Sequence, residues 1–205
     1  MGVILMFART ERLLLRPGWT ADAPALQRAI GDETIVRNLA SVPWPYQSAD
    51  AEAFLDNWTS GVDSRFLMVQ RTASNPRLIG CVSLEPCGND VAELGYWIAR
   101  PYWGLGFATE AGRHMIDLAK SLGHRQIRAS HFVDNPASGA VLRKLGFRAT
   151  GERRQRYSLG RASTAASVDY VHDLSGGESE PAVPAAMRCA NWPHDKREGW
   201  RQHAA

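Results

Sequence analysis

Cysteine is scarce. Three residues, Cys81, Cys87 and Cys189, stand in a chain of 205, and they make neither a C-x-x-C pair nor an obvious disulfide framework. The first two fall in stretches that read as core or strand. Long apolar runs are missing as well: no uninterrupted stretch reaches the roughly 18 residues of a membrane-spanning helix. The opening MGVILMFARTE has a short apolar run but lacks the basic flank and the small-residue cleavage site of a secretory signal. Position 6 is Met, where a myristoylation pattern needs Ser or Thr. A cytoplasmic location without a membrane partner is the expectation, and the N-W-T triplet at 57–59 then carries no weight as a glycosylation site. Neither sign of charge dominates, with 24 Lys and Arg against 21 Asp and Glu and a net charge of +3. A nucleic-acid-binding domain needs a basic stripe interleaved with aromatics, and scattered arginines do not supply one. No set of residues has metal-ligand spacing, and no internal repeat is visible.

What is present suffices for a sizeable core: 44% of the residues are hydrophobic and 22% charged, which suits one compact domain with an appendage. ERLLLRP (11–17) reads as an opening strand stopped by Pro17. TADAPALQRAIG (20–31) reads as a helix capped by Thr20, with Ala23, Leu26, Gln27 and Ile30 on one face. SVPWPYQ (41–47) is a loop, and SADAEAFLDNWTSG (48–61) a helix with Ser48 as its N-cap. Three strands follow, RFLMVQR, RLIGCVSLEP and VAELGYWIA. Phe107, Ala111, Met115, Leu118 and Leu122 then recur at helical spacing, with Gly123 as the stop. RQIRASHFVD (125–134) is a strand. NPASGAVLRKLG (135–146) carries its own punctuation: Asn135 as N-cap, Pro136 at the first position and Gly146 past the end. A hairpin around Gly160 closes the order β-α-α-β-β-β-α-β-α-β-β, which fits a mixed sheet with helices on both faces. From Ser175 the chain turns to Gly, Pro, Ser and Glu without a period. The division is therefore a folded domain, 1–174, and a flexible or loosely docked tail, 175–205.

PYWGLGFATEAG (101–112) sets two glycines where a helix begins. The first turn of a helix has backbone N–H groups without intrahelical acceptors and a partly positive end, a ready place for phosphate. Glycines let that backbone approach an anion. The same pattern also serves a tight strand-to-helix turn with no ligand. A dinucleotide fingerprint is excluded, because its sixth position is Thr109 and no acidic residue stands about 20 positions on, in HRQIRAS. A P-loop fails because no Gly-Lys-Ser/Thr follows.

AELGYWIARPYWGLGFATEA, followed after a strand by DNPASGAVLRKLGF, resembles the GNAT acetyltransferase superfamily, in its RimJ/RimL-like branch of ribosomal-protein N-terminal acetyltransferases. The resemblance runs from about Thr10 to Leu174. It implies a mostly antiparallel seven-stranded sheet, with a V-shaped split between two central parallel strands and about four helices on both faces. The superfamily's phosphate signature, Arg/Gln-x-x-Gly-x-Gly/Ala, falls on Trp103 to Ala108 and departs from it at Trp103. That departure points to a cradle built from backbone.

The resemblance further implies acetyl-CoA in the split. The backbone of Trp97, Ile98 and Ala99 would pair with the pantetheine arm. The N–H groups of Leu105, Gly106, Phe107, Ala108 and Thr109 would hold the diphosphate. Asn135 would bond the arm, and Ser138 would sit by the thioester sulfur. An amine attacks the thioester directly, so a base must take its proton and the leaving thiolate must receive one. Glu93 is the candidate base; it also reads as a solvated strand-end carboxylate. Ser138 is the candidate acid; it also reads as a plain first-turn residue. The tyrosine acid of many relatives would fall on Leu142, so that role is vacant or passes to Ser138.

Trp44 and Tyr46 would line the acceptor pocket or pack in the core. The arginines 148, 153, 154 and 156 suit the cofactor's 3′-phosphate, an acidic partner or a solvated strand face, and His131 a packed side chain. The expected activity is transfer of acetyl from acetyl-CoA to a small-molecule or peptide N-terminal amine, by a monomer or homodimer. The alternative is a non-catalytic acyl-CoA-binding sensor of the same fold.

Overall fold

The computed structural model describes residues 7–56, 58, 64–73, 75–88 and 90–175. Cys189, Asn57 and Thr59 of the N-W-T triplet and, Ser175 apart, the tail lie outside them. The described chain runs β1 (Ala8–Arg9), β2 (Leu13–Arg16), α1 (Ala23–Ile30), α2 (Glu33–Val36), α3 (Ser48–Asp56), β3 (Ser64–Gln70), β4 (Arg77–Pro86) and β5 (Val91–Ile98). It continues with α4 (Phe107–Ser121), β6 (Gln126–Phe132), α5 (Pro136–Lys144), β7 (Arg148–Ser158) and β8 (Ser163–Asp173). The sheet order is β1-β2-β3-β4-β5-β6-β8-β7. Every neighbouring pair is antiparallel except β5 and β6. The eighth strand beyond the expected seven is β1, two residues that pair with Leu14 and Leu15. The helix beyond the expected four is α2, a single turn capped by Asp32, whose carboxylate accepts from the Thr34 N–H.

The period-2 alternation of the strands divides two apolar layers. Phe66, Met68, Val82, Leu84, Leu94 and Ile98 face α4 and α5 in one cluster. Leu67 and Cys81 face α1 and α3 in the other. Helix α4 fits its layer through Phe107, Ala111, Met115 and Ala119, all buried at four-residue steps. Leu118 is partly buried beside them. Leu122 departs from the expected stripe: it is the residue that caps the helix and is 51% exposed. Burial of a side chain such as Met115 or Phe107 contributes roughly 1.5–3 kcal/mol. The layer is therefore what holds α4, and with it the turn before α4, on the sheet.

Two helix starts differ from expectation in the same way: the turn begins at the expected cap itself, and an Asp two residues further on reaches back to the N–H of the residue that precedes the turn. Thr20 does not cap α1; it lies in a 3-10 turn, where Asp22 accepts from the Trp19 N–H at 2.9 Å and holds Arg16 through two 2.7 Å bonds. Ser48 is already inside α3 and bonds Glu52, while Asp50 accepts from the Gln47 N–H.

Candidate active site

β5 and β6 pair only over Val91↔Gln126, Ala92↔Ile127 and Glu93↔Arg128. Beyond Glu93 and Arg128 the two strands part, although both continue. On its other side β5 stays in register with β4 along its whole length. The Cys87 N–H bonds the Val91 carbonyl at 2.9 Å, and the Ala99 N–H bonds the Ile79 carbonyl at 2.8 Å. A ladder's bonds alternate, so the odd residues of β5 turn their backbone to β4. Leu94, Tyr96 and Ile98 turn theirs to the split. Of the three residues expected to offer backbone there, only Ile98 does. Trp97 faces β4, and Ala99 spends its N–H on Ile79 and its carbonyl on the Tyr102 N–H. The Ile98 carbonyl in turn accepts the Trp103 indole N–H at 2.6 Å. Trp103, at the position where the superfamily signature has Arg or Gln, thus ties the end of β5 to the glycine turn.

Gly104 and Gly106 both have positive φ, +74° and +84°, the left-handed region that favours glycine. Gly106 is the N-cap of α4, and its carbonyl accepts the first helical bond, from Glu110. By helix geometry the N–H groups of Phe107, Ala108 and Thr109 precede any intrahelical acceptor. The Phe107 and Thr109 side chains are buried behind the turn, while Leu105 is exposed in front of it. The expected cradle residues are therefore together in one turn at the mouth of the split.

Across the split, Asn135 caps α5 by accepting from the Ser138 N–H at 3.3 Å. The Ser138 hydroxyl lies 2.8 Å from the Tyr96 hydroxyl, which also donates to the Ser138 carbonyl at 3.2 Å. Helix α5 comes this close because residue 139 is glycine; a Cβ there would stand 2.6 Å from Nε2 of His131 on β6. Burial pushes the Tyr96 phenol up to about 12 against the opposing bond from Ser138. It is therefore a protonated hydroxyl at neutral pH, able to donate. Tyr96 escaped the sequence reading, although its place between Leu94 and Ile98 in a period-2 strand sets it on the α5 side. Leu142, where the tyrosine acid was sought, is 1% exposed in the core.

Glu93 is the last paired residue of β5, at the point where the split opens, and its Oε1 lies 3.5 Å from Nη1 of Arg156. Arg156 also reaches Asp169, and Arg154 pairs with Asp169 and Glu152. These two arginines are thus bound within the sheet. Tyr46 lies in the second core cluster, where burial above all, then Asp50 and Cys81, pushes its phenol up. Trp44 is 40% exposed, so of the two loop aromatics it is the one open to solvent. His131 packs against Tyr170 and bonds the Phe132 carbonyl. Among the described residues no three His, Cys, Asp or Glu side chains gather as a metal site requires, and no helix is long and apolar enough to cross a membrane.

Residues 12–148 match the acetyltransferase (GNAT) domain family. An N-acetyltransferase of uncharacterised role from Bacillus subtilis (strain 168), YoaA, is 30% identical over 154 residues, which span 71% of this chain and 85% of that one. Among solved structures, RimL, a ribosomal L7/L12 alpha-N-protein acetyltransferase in complex with coenzyme A, superposes with a TM-score of 0.71 at 19% identity, covering 84% of this chain and 100% of that one. The microcin C7 self-immunity acetyltransferase MccE, in complex with acetyl-CoA and AMP, superposes with a TM-score of 0.67 at 19% identity, over 80% and 93%.

Proposed function

The chain belongs to the GNAT acetyltransferase domain family, and from that premise we propose that it transfers an acetyl group from acetyl-CoA directly to a primary amine, a protein N-terminus or a small molecule. The observation that carries the reading is the split between β5 and β6, which opens beside the two left-handed glycines that start α4. The pantetheine arm lies along the split, on the backbone groups of Leu94, Tyr96 and Ile98. The diphosphate rests on the N–H groups of Leu105 through Thr109. Names of solved relatives that carry coenzyme A or acetyl-CoA support this choice of donor.

The chemistry follows from the groups around the split. The amine nitrogen attacks the thioester carbonyl, whose developing oxyanion takes a hydrogen bond from a β5 N–H facing the split. Glu93, at the opening, removes the proton that the amine must lose. As the C–S bond breaks, the Ser138 hydroxyl protonates the thiolate and takes the Tyr96 proton through their 2.8 Å contact, as the Tyr96 hydroxyl turns from the Ser138 carbonyl. The Tyr96 phenolate regains its proton from solvent as the products leave. No covalent enzyme intermediate is needed. Trp44 borders the acceptor.

The test is thiol release from acetyl-CoA against a panel of amines that includes peptides with free N-termini. The expected result is free coenzyme A formed only when an amine is present. The rival reading, a sensor that binds acyl-CoA without turnover, predicts no release with any amine but a stabilisation of about 2.7 kcal/mol at 100 times the dissociation constant. Absence of both contradicts the donor assignment.

A further inference from the structure

The turn that begins α4 is held from behind by a residue 93 to 98 positions earlier in the chain. Arg12, just before β2, donates from Nε to Oε2 of Glu110 at 2.7 Å and from Nη1 to the Leu105 carbonyl at 2.9 Å. Its guanidinium lies 4.4 Å from the centre of the Phe107 ring. Nη2 stands 3.4 Å from the place a Cβ on Gly106 would take. One planar group therefore touches Leu105, Phe107 and Glu110 and lies beside the side-chain position of Gly106, at the start of the helix.

The group is itself fixed. Oε1 of Glu110 accepts from the Thr10 hydroxyl at 2.6 Å and from the Arg12 N–H at 2.7 Å. Arg71 donates to the Thr10 and Glu11 carbonyls, and its N–H bonds the Arg12 carbonyl. Glu110 is thus the anchor through which α4 grips the segment before β2.

We propose that Arg12 is a positioning residue for the diphosphate of the cofactor. The argument is geometric and rests on the acetyl-CoA reading above. A trans peptide directs its C=O and N–H to opposite sides. Holding the Leu105 carbonyl on Arg12 aims the Gly106 N–H away from Arg12, to the outer side of the turn. With two left-handed glycines, at 104 and 106, the loop has many alternative orientations for that peptide, and the arginine selects one. The ion pair with Glu110 offsets the guanidinium's charge, so Arg12 acts by orienting the N–H groups and not as a cation laid on the phosphate. A lysine in its place keeps the charge but has no fork to reach Glu110 and Leu105 together.

The test uses the full chain and two donors: acetyl-CoA, and acetyl-pantetheine, which lacks the diphosphate. Arg12→Gln and Arg12→Lys are each expected to raise the KM for acetyl-CoA and the Kd for coenzyme A by on the order of 10-fold or more, the scale known for loss of a residue that orients a metal ligand from behind. The loss with acetyl-pantetheine should be several-fold smaller. Should Arg12→Gln fail to fold, Arg12→Lys, which retains the pair with Glu110, carries the test. Affinity for coenzyme A equal to the unaltered protein, in the folded variant, overturns the proposal. An equal loss with both donors overturns it too, since Arg12 then only holds the fold. Full recovery in Arg12→Lys replaces orientation by simple charge. Failure of the unaltered protein to bind coenzyme A defeats the donor reading itself, and is told apart from these results because it needs no variant.

Discussion

Gly106→Val is expected to abolish measurable coenzyme A binding and to lower the melting temperature in the same protein. With a negative φ at this position, valine would spare the fold, being no worse than glycine in a helical turn. The φ of Gly106 is +84°. A left-handed backbone costs a residue with a Cβ about 1–2 kcal/mol, and a β-branched one more, so valine carries a stability cost as well as a steric one. For a chain of this size that is a drop of roughly 2–8 °C. The two effects separate with Gly106→Asn, because asparagine tolerates the left-handed region. Asparagine should recover most of the melting temperature and little of the affinity, since its side chain still enters the turn beside Arg12. Recovery of both in Gly106→Asn would mean that the glycine serves only the bend and that the diphosphate is held elsewhere.

Glu93→Gln is expected to lower turnover by about 10²–10⁴-fold, the usual contribution of a positioned general base. The fold should be unaffected: Glu93 and Arg156 are each about a third exposed, at 35% and 33%, and a pair so open to water contributes about 0–1 kcal/mol. A rate loss in this variant is therefore a statement about chemistry. Its pH dependence gives the sign. Below the amine's pKa the acceptor is protonated and needs the base; above it the amine is already neutral, so the defect should shrink as pH rises. An unchanged rate at neutral pH, with chemistry shown to limit turnover, returns Glu93 to a strand-end carboxylate held by Arg156.

The parts of this molecule legible in its sequence are those written in local patterns. RLIGCVSLEP forms β4 from Arg77 to Pro86, residue for residue. Asn135, Pro136 and Gly146 punctuate α5 as their chemistry requires, with Gly146 at φ +84°. The glycines at 104 and 106 announce the turn before α4. The readings that failed depended on one-residue registers. Thr20 lies inside a 3-10 turn that Asp22 closes by accepting from the Trp19 N–H, and strand alternation left only Ile98 of three expected residues facing the split.

The least legible contacts join distant segments. Tyr96 meets Ser138 across 42 positions, and Arg12 meets Glu110 across 98. Neither residue belongs to a short motif that names its partner. Each pairing exists because the sheet order sets β5 beside β6 and because α4 packs over both β2 and β5. Glu110 illustrates the point: burial alone would raise its carboxyl, yet Thr10 and Arg12 hold it below the ordinary carboxylate range, and both of those partners come from the far end of the chain.

The central claim is that one continuous surface, the split edge of β5 and the turn into α4, receives acetyl-CoA. Titrating coenzyme A into the isotope-labelled protein and following its backbone amide signals tests this residue by residue. The account predicts saturable shifts, largest for Leu105 through Thr109 and for Leu94, Tyr96 and Ile98, with Trp97 and Ala99, whose backbone faces β4, moving less. Saturable binding with its largest shifts outside the split and the α4 turn, or no shifts at millimolar coenzyme A, would contradict it.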